Sequence, residues 1–163
     1  MNKNLGRLLG IIPFIGLIAF TVACGFSLLT GGTDGWQQLL LANGLLYLVG
    51  IQGFIYASGH MFFADPVAES IGWPKGSPFQ WEVGLANLSY GVLGVFASGR
   101  DSDWALATVV AFSIFYLGAA VGHVKDIIAK KNYASGNAGG VLVVDVLIPV
   151  LLIVFYLLAS GAA

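Results

Sequence analysis

Five stretches of this chain, roughly 8–29, 38–64, 81–97, 104–122 and 141–159, run apolar with almost no charge inside them. A helix needs about 20 apolar residues to cross the hydrocarbon of a bilayer, with about 17 as the lower limit. All five stretches meet that limit, the third by the narrowest margin. A barrel strand needs only about 10 alternating residues, so these lengths predict helices. The expected fold is all-α, a polytopic membrane helical bundle of five transmembrane helices forming a single membrane domain over 1–163. Charge supports it: seven basic and eight acidic residues in 163 cannot clothe a soluble domain, whose surface is about a quarter charged. With a net charge of −1 and no basic tract, nucleic acid is not an expected partner; the lipid bilayer is. Cys24 is the one cysteine, which excludes an intrachain disulfide and a CxxC redox or zinc motif.

Lysine and arginine set the expected orientation. With the N-terminus inside, the inner segments hold Lys3, Arg7, Lys75, Lys125, Lys130 and Lys131, and the outer segments hold only Arg100. Positive charge concentrates on the cytoplasmic side, so the sequence predicts a multi-pass protein of a bacterial-type inner membrane, N-terminus in and C-terminus out. Trp36, Trp73, Trp81 and Trp104 fall at or beside span ends, where indole prefers to sit. The opening "MNKNLGRLLGIIPFIGLIAFTVACG" also has the form of a signal sequence. Its "TVAC" is a poor lipoprotein-type box, with Thr21 where leucine is usual, and an uncleaved first helix is the expectation.

A repeat carries the chemistry. The only two histidines, His60 and His123, each follow a glycine near the end of an apolar span. Twenty-two residues after each stands an acid followed by valine: Glu82–Val83 and Asp145–Val146. Gly-His-x21-acid-Val therefore occurs twice, predicting two helix hairpins, about 38–97 and 104–159, related by a pseudo-two-fold along the membrane normal. Spans two and four would end, and spans three and five begin, at the cytoplasmic surface. His60, Glu82, His123 and Asp145 would thus share one leaflet, and ionisable groups within spans face the bundle interior and pair with one another.

Other polar residues extend this set. Gln52, Tyr56 and His60 are four apart and make one stripe; His123 and Asp126 are three apart, as are Asn87 and Tyr90. Gly118 and Gly122 form a small-xxx-small pair that permits close helix approach, and Gly84, Gly91 and Gly94 have the same character. Pro149 frees a backbone carbonyl in the last span. The loop "DPVAESIGWPKGSPFQW" is long for a hairpin and broken by Pro66, Pro74 and Pro78. Its Val67, Ile71 and Trp73 predict a short interfacial helix over the cytoplasmic mouth, acting as a constrained connector or a lid.

The segment "GHMFFADPVAESIGWPKGSPFQWEVGLANLSYGVLGVFA" resembles the DoxX-like membrane proteins. Those pair a helix ending in a Gly-x-x-His-Phe-like motif with a proline-containing loop and a helix opening with glycine and glutamate. Gly59, His60, Phe62, Pro66, Pro78, Gly84 and Gly91 carry the likeness, over roughly 45–160. Here Gly59 adjoins His60, Glu82 precedes Gly84, and the first span is an addition to a four-helix family core. The resemblance implies that core from spans two to five and an association with quinone-linked redox enzymes.

Four functions fit the polar cluster. The first is a site for a small hydrophobic or quinone-like ligand, with His60, Glu82, His123, Asp145, Gln52, Tyr56, Asn87 and Asp126 as its candidate residues. The second is a non-catalytic accessory or scaffold subunit of a membrane complex, in which His-carboxylate pairs lock helices together. The third is metal or haem ligation, although the Glu-x-x-His pair of di-iron bundles is absent. The fourth is proton-coupled transport, although the outer halves of the spans offer little beyond Asn43 and Gln52. No cofactor is specified. The small-residue faces admit a homo-oligomer. Nucleophilic catalysis has no support: Cys24 falls near the opposite leaflet from both histidines. The sequon-like "NLS" at Asn87 lies inside a span, and no phosphate-binding glycine loop occurs.

Overall fold

The computed structural model describes residues 10–161, so Lys3 and Arg7 of the charge count lie outside the described residues, as does the start of the first span. The described residues form six helices. They are α1 (Ile12–Gly31), α2 (Trp36–Phe62), α3 (Ala64–Ile71), α4 (Phe79–Ala97), α5 (Ser102–Lys130) and α6 (Ser135–Gly161). No strand occurs among the described residues. Helices α1, α2, α5 and α6 are each long and apolar enough to cross a membrane. At 19 residues, α4 is about 28 Å long at 1.5 Å per residue, close to the hydrocarbon thickness. Gln80, Glu82, Asn87 and Ser89 make it less apolar than the other four.

Local sequence explains where the helices start and stop. Pro13 sits in a 3-10 turn, Ile12–Phe14, that opens α1. The Asp101 carboxylate accepts from the Trp104 amide at 3.3 Å and caps α5, satisfying an orphan donor. That helix continues past the expected boundary at 122, because Val124, Ile127 and Ile128 sustain it until Lys131 takes up a left-handed conformation. The Lys131 and Asn132 amides then return to Ile127 O and Asp126 O, a bonding pattern that closes helix C-termini. His123 is therefore two turns inside its helix rather than at its end. The expected interfacial helix is α3; Pro66 stands in its first turn, where a missing N–H costs no bond.

Lipid tails are as apolar as leucine, so helices in a bilayer are held by close packing rather than by apolar burial. The α2–α4 crossing shows it. A Cβ on Gly53 would stand 2.7 Å from the Gly91 nitrogen, and one on Gly94 would stand 2.5 Å from the Gly50 nitrogen. Only glycine permits that approach. Around Gly50 the helix widens into π-helical turns over Gly44–Ile51, a feature not anticipated from sequence. Gly118 and Gly122 behave differently from the expectation: both are exposed, with no atom of the described residues within 4 Å of where a Cβ would stand, so they mediate no helix crossing among the described residues. Leu45, Leu48, Phe112, Ile148 and Leu152 fill the centre of the bundle, and Phe20 stacks on Phe155 at 5.5 Å. Ile15, Ile18, Val22, Phe26, Ile114 and Leu157 face outward. The principal pairings are α2 with α4 and α5 with α6, so each expected hairpin packs on itself.

Candidate functional site

At one end of the bundle the start of α1, the ends of α2 and α5, and the starts of α4 and α6 enclose a cavity of about 920 Å³. Its wall is mostly apolar, with Pro13, Ile55, Val83, Phe115 and Val141 among the lining residues. Pro66, Val67, Ser70 and Ile71 of α3, followed by Trp73, cover one side. Tyr56 and Tyr116 line it too and stack at 6.4 Å between ring centres. Tyr116 in turn stacks on Phe112 at 4.1 Å. His60, Glu82, Asn87, His123, Asp126 and Asp145 all contribute to the wall.

The second histidine is held on both ring nitrogens. Asn137 is completely buried, and its Nδ2 donates to Asn132 O at 2.8 Å and His123 O at 3.4 Å. Its protons are thus placed, and Oδ1 faces His123 Nδ1 at 2.7 Å. Nδ1 therefore carries a hydrogen. Nε2 lies 3.4 Å from Asp145 Oδ2. A neutral ring beside an ionised carboxylate would set lone pair against lone pair. One proton must serve the two groups, as imidazolium with carboxylate or imidazole with carboxylic acid. Either way the pair has no net charge.

The first histidine is held differently. His60 Nδ1 lies 2.5 Å from Gln80 Oε1. Gln80 is buried, and its Nε2 has no hydrogen-bond partner among the described residues. Glu82 is exposed on the cavity rim, and the His60 ring meets Gln80 rather than Glu82. The reason is helical: residues two apart do not share a face, and turning Gln80 inward turns Glu82 away.

The remaining expected residues are placed as follows. Gln52 lies away from the cavity. Its Oε1 accepts from Gly16 N at 2.7 Å and its Nε2 donates to Ile12 O at 3.1 Å, completing the bonding where the turn around Pro13 passes into α1. Asn87 accepts the Tyr116 hydroxyl at 2.5 Å and donates to Val83 O at 2.9 Å. Asp126 pairs with Lys130 at 2.7 Å and accepts from Asn132 at 3.3 Å. Tyr56 has a buried hydroxyl that lies near Gln52 without reaching hydrogen-bond geometry. Tyr90 donates to Ala111 O at 3.3 Å. Among the described residues no three His, Cys, Asp or Glu side chains converge as a metal site.

Helix α3 is fastened to the loop and helix that follow α5. Asn132 Nδ2 donates to Ile71 O at 2.8 Å. A Cβ on Gly136 would meet Ser70 O at 2.8 Å, so the end of α3 and the start of α6 are in backbone contact. On the outer side, Lys75 lies 2.9 Å from Glu69 and holds its carboxyl below the usual carboxylate range.

Sequence reading missed Gln80, Asn137 and Asn132. The first two follow the histidines by 20 and 14 residues, so a search for equal offsets cannot find them. The available signal was weaker: a carboxamide at the mouth of an apolar span must find a partner.

The chain matches the DUF6790 family, a family of unknown function, over residues 10–162, and belongs to it. No curated protein and no solved structure matches it.

Proposed function

We propose that this chain is a membrane-embedded binding protein for a small hydrophobic ligand of quinone-like size, held in the cavity between the two hairpins. Its five helices α1, α2, α4, α5 and α6 all cross the bilayer as pseudo-symmetric hairpins plus α1. The N-terminus is cytoplasmic, so the cavity faces the cytoplasmic leaflet. In support of five crossings, α4 runs from His60 at one end of the bundle to a smaller pocket at the other, where Ala97 and Ser98 join Gln38 and Ser160. The single observation that carries the binding role is the cavity itself: about 920 Å³, mostly apolar, with a few convergent polar groups, the usual make-up of a small-ligand site. The DoxX-like motif residues Gly59, His60 and Pro66 lie on or beside its wall and fit a place in membrane redox.

The test is lipid extraction and mass spectrometry of protein purified gently from native membranes. The expected result is a stoichiometric hydrophobic small molecule in the wild type that is absent from the His60→Ala, His123→Ala double variant. Ordinary phospholipid alone, with no saturable uptake of a short-chain benzoquinone, overturns it.

One observation favours a second reading, an accessory or scaffold subunit. The Asn137 carboxamide is fully bonded within the protein and suffices to lock α5 to the start of α6 without any ligand.

A further inference from the structure

Six acidic or basic side chains line the cavity, and they do not balance. Asp126 pairs with Lys130 at 2.7 Å. His123 and Asp145 share one proton, so these four sum to zero. His60 meets a carboxamide rather than an acid, and its imidazole is neutral above its ordinary range, near about 6.5. Glu82 is left. It has no hydrogen bond or ion pair among the described residues, and no charge on the wall offsets it. Phe79, Glu82, Val83 and Ala86 all line the cavity, and spacings of three, four and seven put them on one face of α4. The carboxylate therefore stands on the stripe that faces the cavity, one turn after an aromatic ring.

The open hydrogen-bonding groups have the same bias. Gln80 Oε1 only accepts, so His60 Nδ1 carries the hydrogen and Nε2 presents a lone pair. That nitrogen has no partner among the described residues and, unlike the Tyr56 hydroxyl, is not buried. Lys130 turns its ammonium to Asp126, and Ser70 donates to Val67 O at 2.8 Å. The Ser135 hydroxyl, exposed on the wall, serves either way.

We propose that the ligand is an organic ammonium, a protonated amine on an apolar body, seated with its charge against Glu82 and its body in the cavity. This rests on the cavity being a ligand site and names the ligand's class. An ammonium supplies both things the wall lacks, a positive charge and N–H donors. A neutral hydroxyl supplies the donor without the charge. A carboxylate or phosphate sets a second anion beside Glu82 and meets no cation on the wall that is not already paired. A metal ion finds no three ligands converging among the described residues. The rings favour the same head: cations are drawn to aromatic faces, and Phe63, Trp73 and Phe79 line the cavity. The apolar body then lies along Ile55, Val83 and Phe115.

The test uses full-length protein in phosphatidylcholine nanodiscs at about pH 8, where free imidazole is neutral, with empty nanodiscs as the blank. Two probes differ only at the head: 4-octylbenzylamine, protonated there, and 4-octylbenzyl alcohol. Binding is followed by isothermal titration and tryptophan fluorescence. A partly exposed ion pair is worth up to about fivefold, so the amine should bind about fivefold more tightly than the alcohol. Glu82→Gln, at an exposed position, should bring the two within about twofold of each other. Benzylamine, which has the head without the tail, should bind at least about tenfold more weakly than the octyl amine. Equal affinity of the two octyl probes for the wild type overturns the ammonium assignment and leaves the cavity a ligand site. A preference that survives Glu82→Gln also overturns it, since the charge is then recognised elsewhere. Benzylamine binding as tightly as the octyl amine overturns it too, because the amine is then held at the surface without the cavity. Saturable binding of neither octyl probe overturns the ammonium assignment and the ligand site together.

Discussion

His60 and His123 occupy matching places in two hairpins, yet they are finished to different standards. Each offers Nδ1 to a buried carboxamide at the start of the long helix that its own helix packs against. At His123 the carboxamide is bonded through all its polar atoms and an acid faces the other ring nitrogen. At His60 the carboxamide nitrogen has no partner among the described residues, and the acid has turned outward. The difference teaches that matching positions in two packed helix pairs do not by themselves bring matching side-chain pairs. An acid sits at the same offset after each histidine, but pairing depends on helical phase, and in the first hairpin two residues of phase separate Gln80 from Glu82.

Breaking the better-bonded site should cost most. Asn137→Leu leaves Nδ1 of His123 and the carbonyls of Asn132 and His123 without their partner. At about 1–3 kcal/mol for each unmet buried group, the loss should be about 3 kcal/mol or more, read as reduced thermal stability in detergent. Asp145→Ala breaks a buried pair, which typically costs about 3–5 kcal/mol. His123 can shed its proton once the acid is gone, so a loss of about 2 kcal/mol is expected, again read as thermal stability in detergent. Gln80→Leu is the sharpest comparison with Asn137→Leu. It forfeits one hydrogen bond, about 1 kcal/mol, but also removes an unbonded amide, so stability should change by less than about 1 kcal/mol. A loss as large as that of Asn137→Leu would show that the two carboxamides are equivalent after all. Glu82→Gln should shift stability by no more than about 0.5 kcal/mol.

The smallest effect concerns the lid's ion pair. Its folded carboxyl is depressed, so the Glu69–Lys75 contribution is complete above the ordinary carboxylate range and is lost as pH falls through the lower, folded value. Trp73 fluorescence should therefore hold steady from neutral pH to about pH 5 and change only below the range of free carboxylates. A change already complete at pH 6 would place control of the lid elsewhere.

Much of the architecture was legible in the chain. Long apolar runs announce helices, and four helices suited to a membrane are present. Gly84, Gly91 and Gly94 marked the α2–α4 seam because a missing Cβ has few other uses on a spanning helix. The fifth run was harder to read: α4 carries the polar residues that build the site, and the same residues lower its hydropathy. His123 and Asp145 could be joined by counting. Gln80 and Asn137 could not, because loop lengths of different size precede them. The π-helical turns near Gly50 and the role of Gln52 at the α1 joint depend on contacts between segments far apart in sequence, which no local pattern encodes.

Asn132 has a consequence for time rather than affinity. It bonds the lid at Ile71, and through its own carbonyl it holds the Asn137 amide that orients His123. Lifting α3 away from the cavity therefore strains the same turn that fixes the imidazole. In the proposed binding role, a molecule that passes under α3 disturbs both at once, and its exchange is then governed by the lifetime of one short loop between α5 and α6. Residence would then be long relative to what the depth of the cavity alone implies, and loosening Asn132 would shorten it without altering a single wall contact.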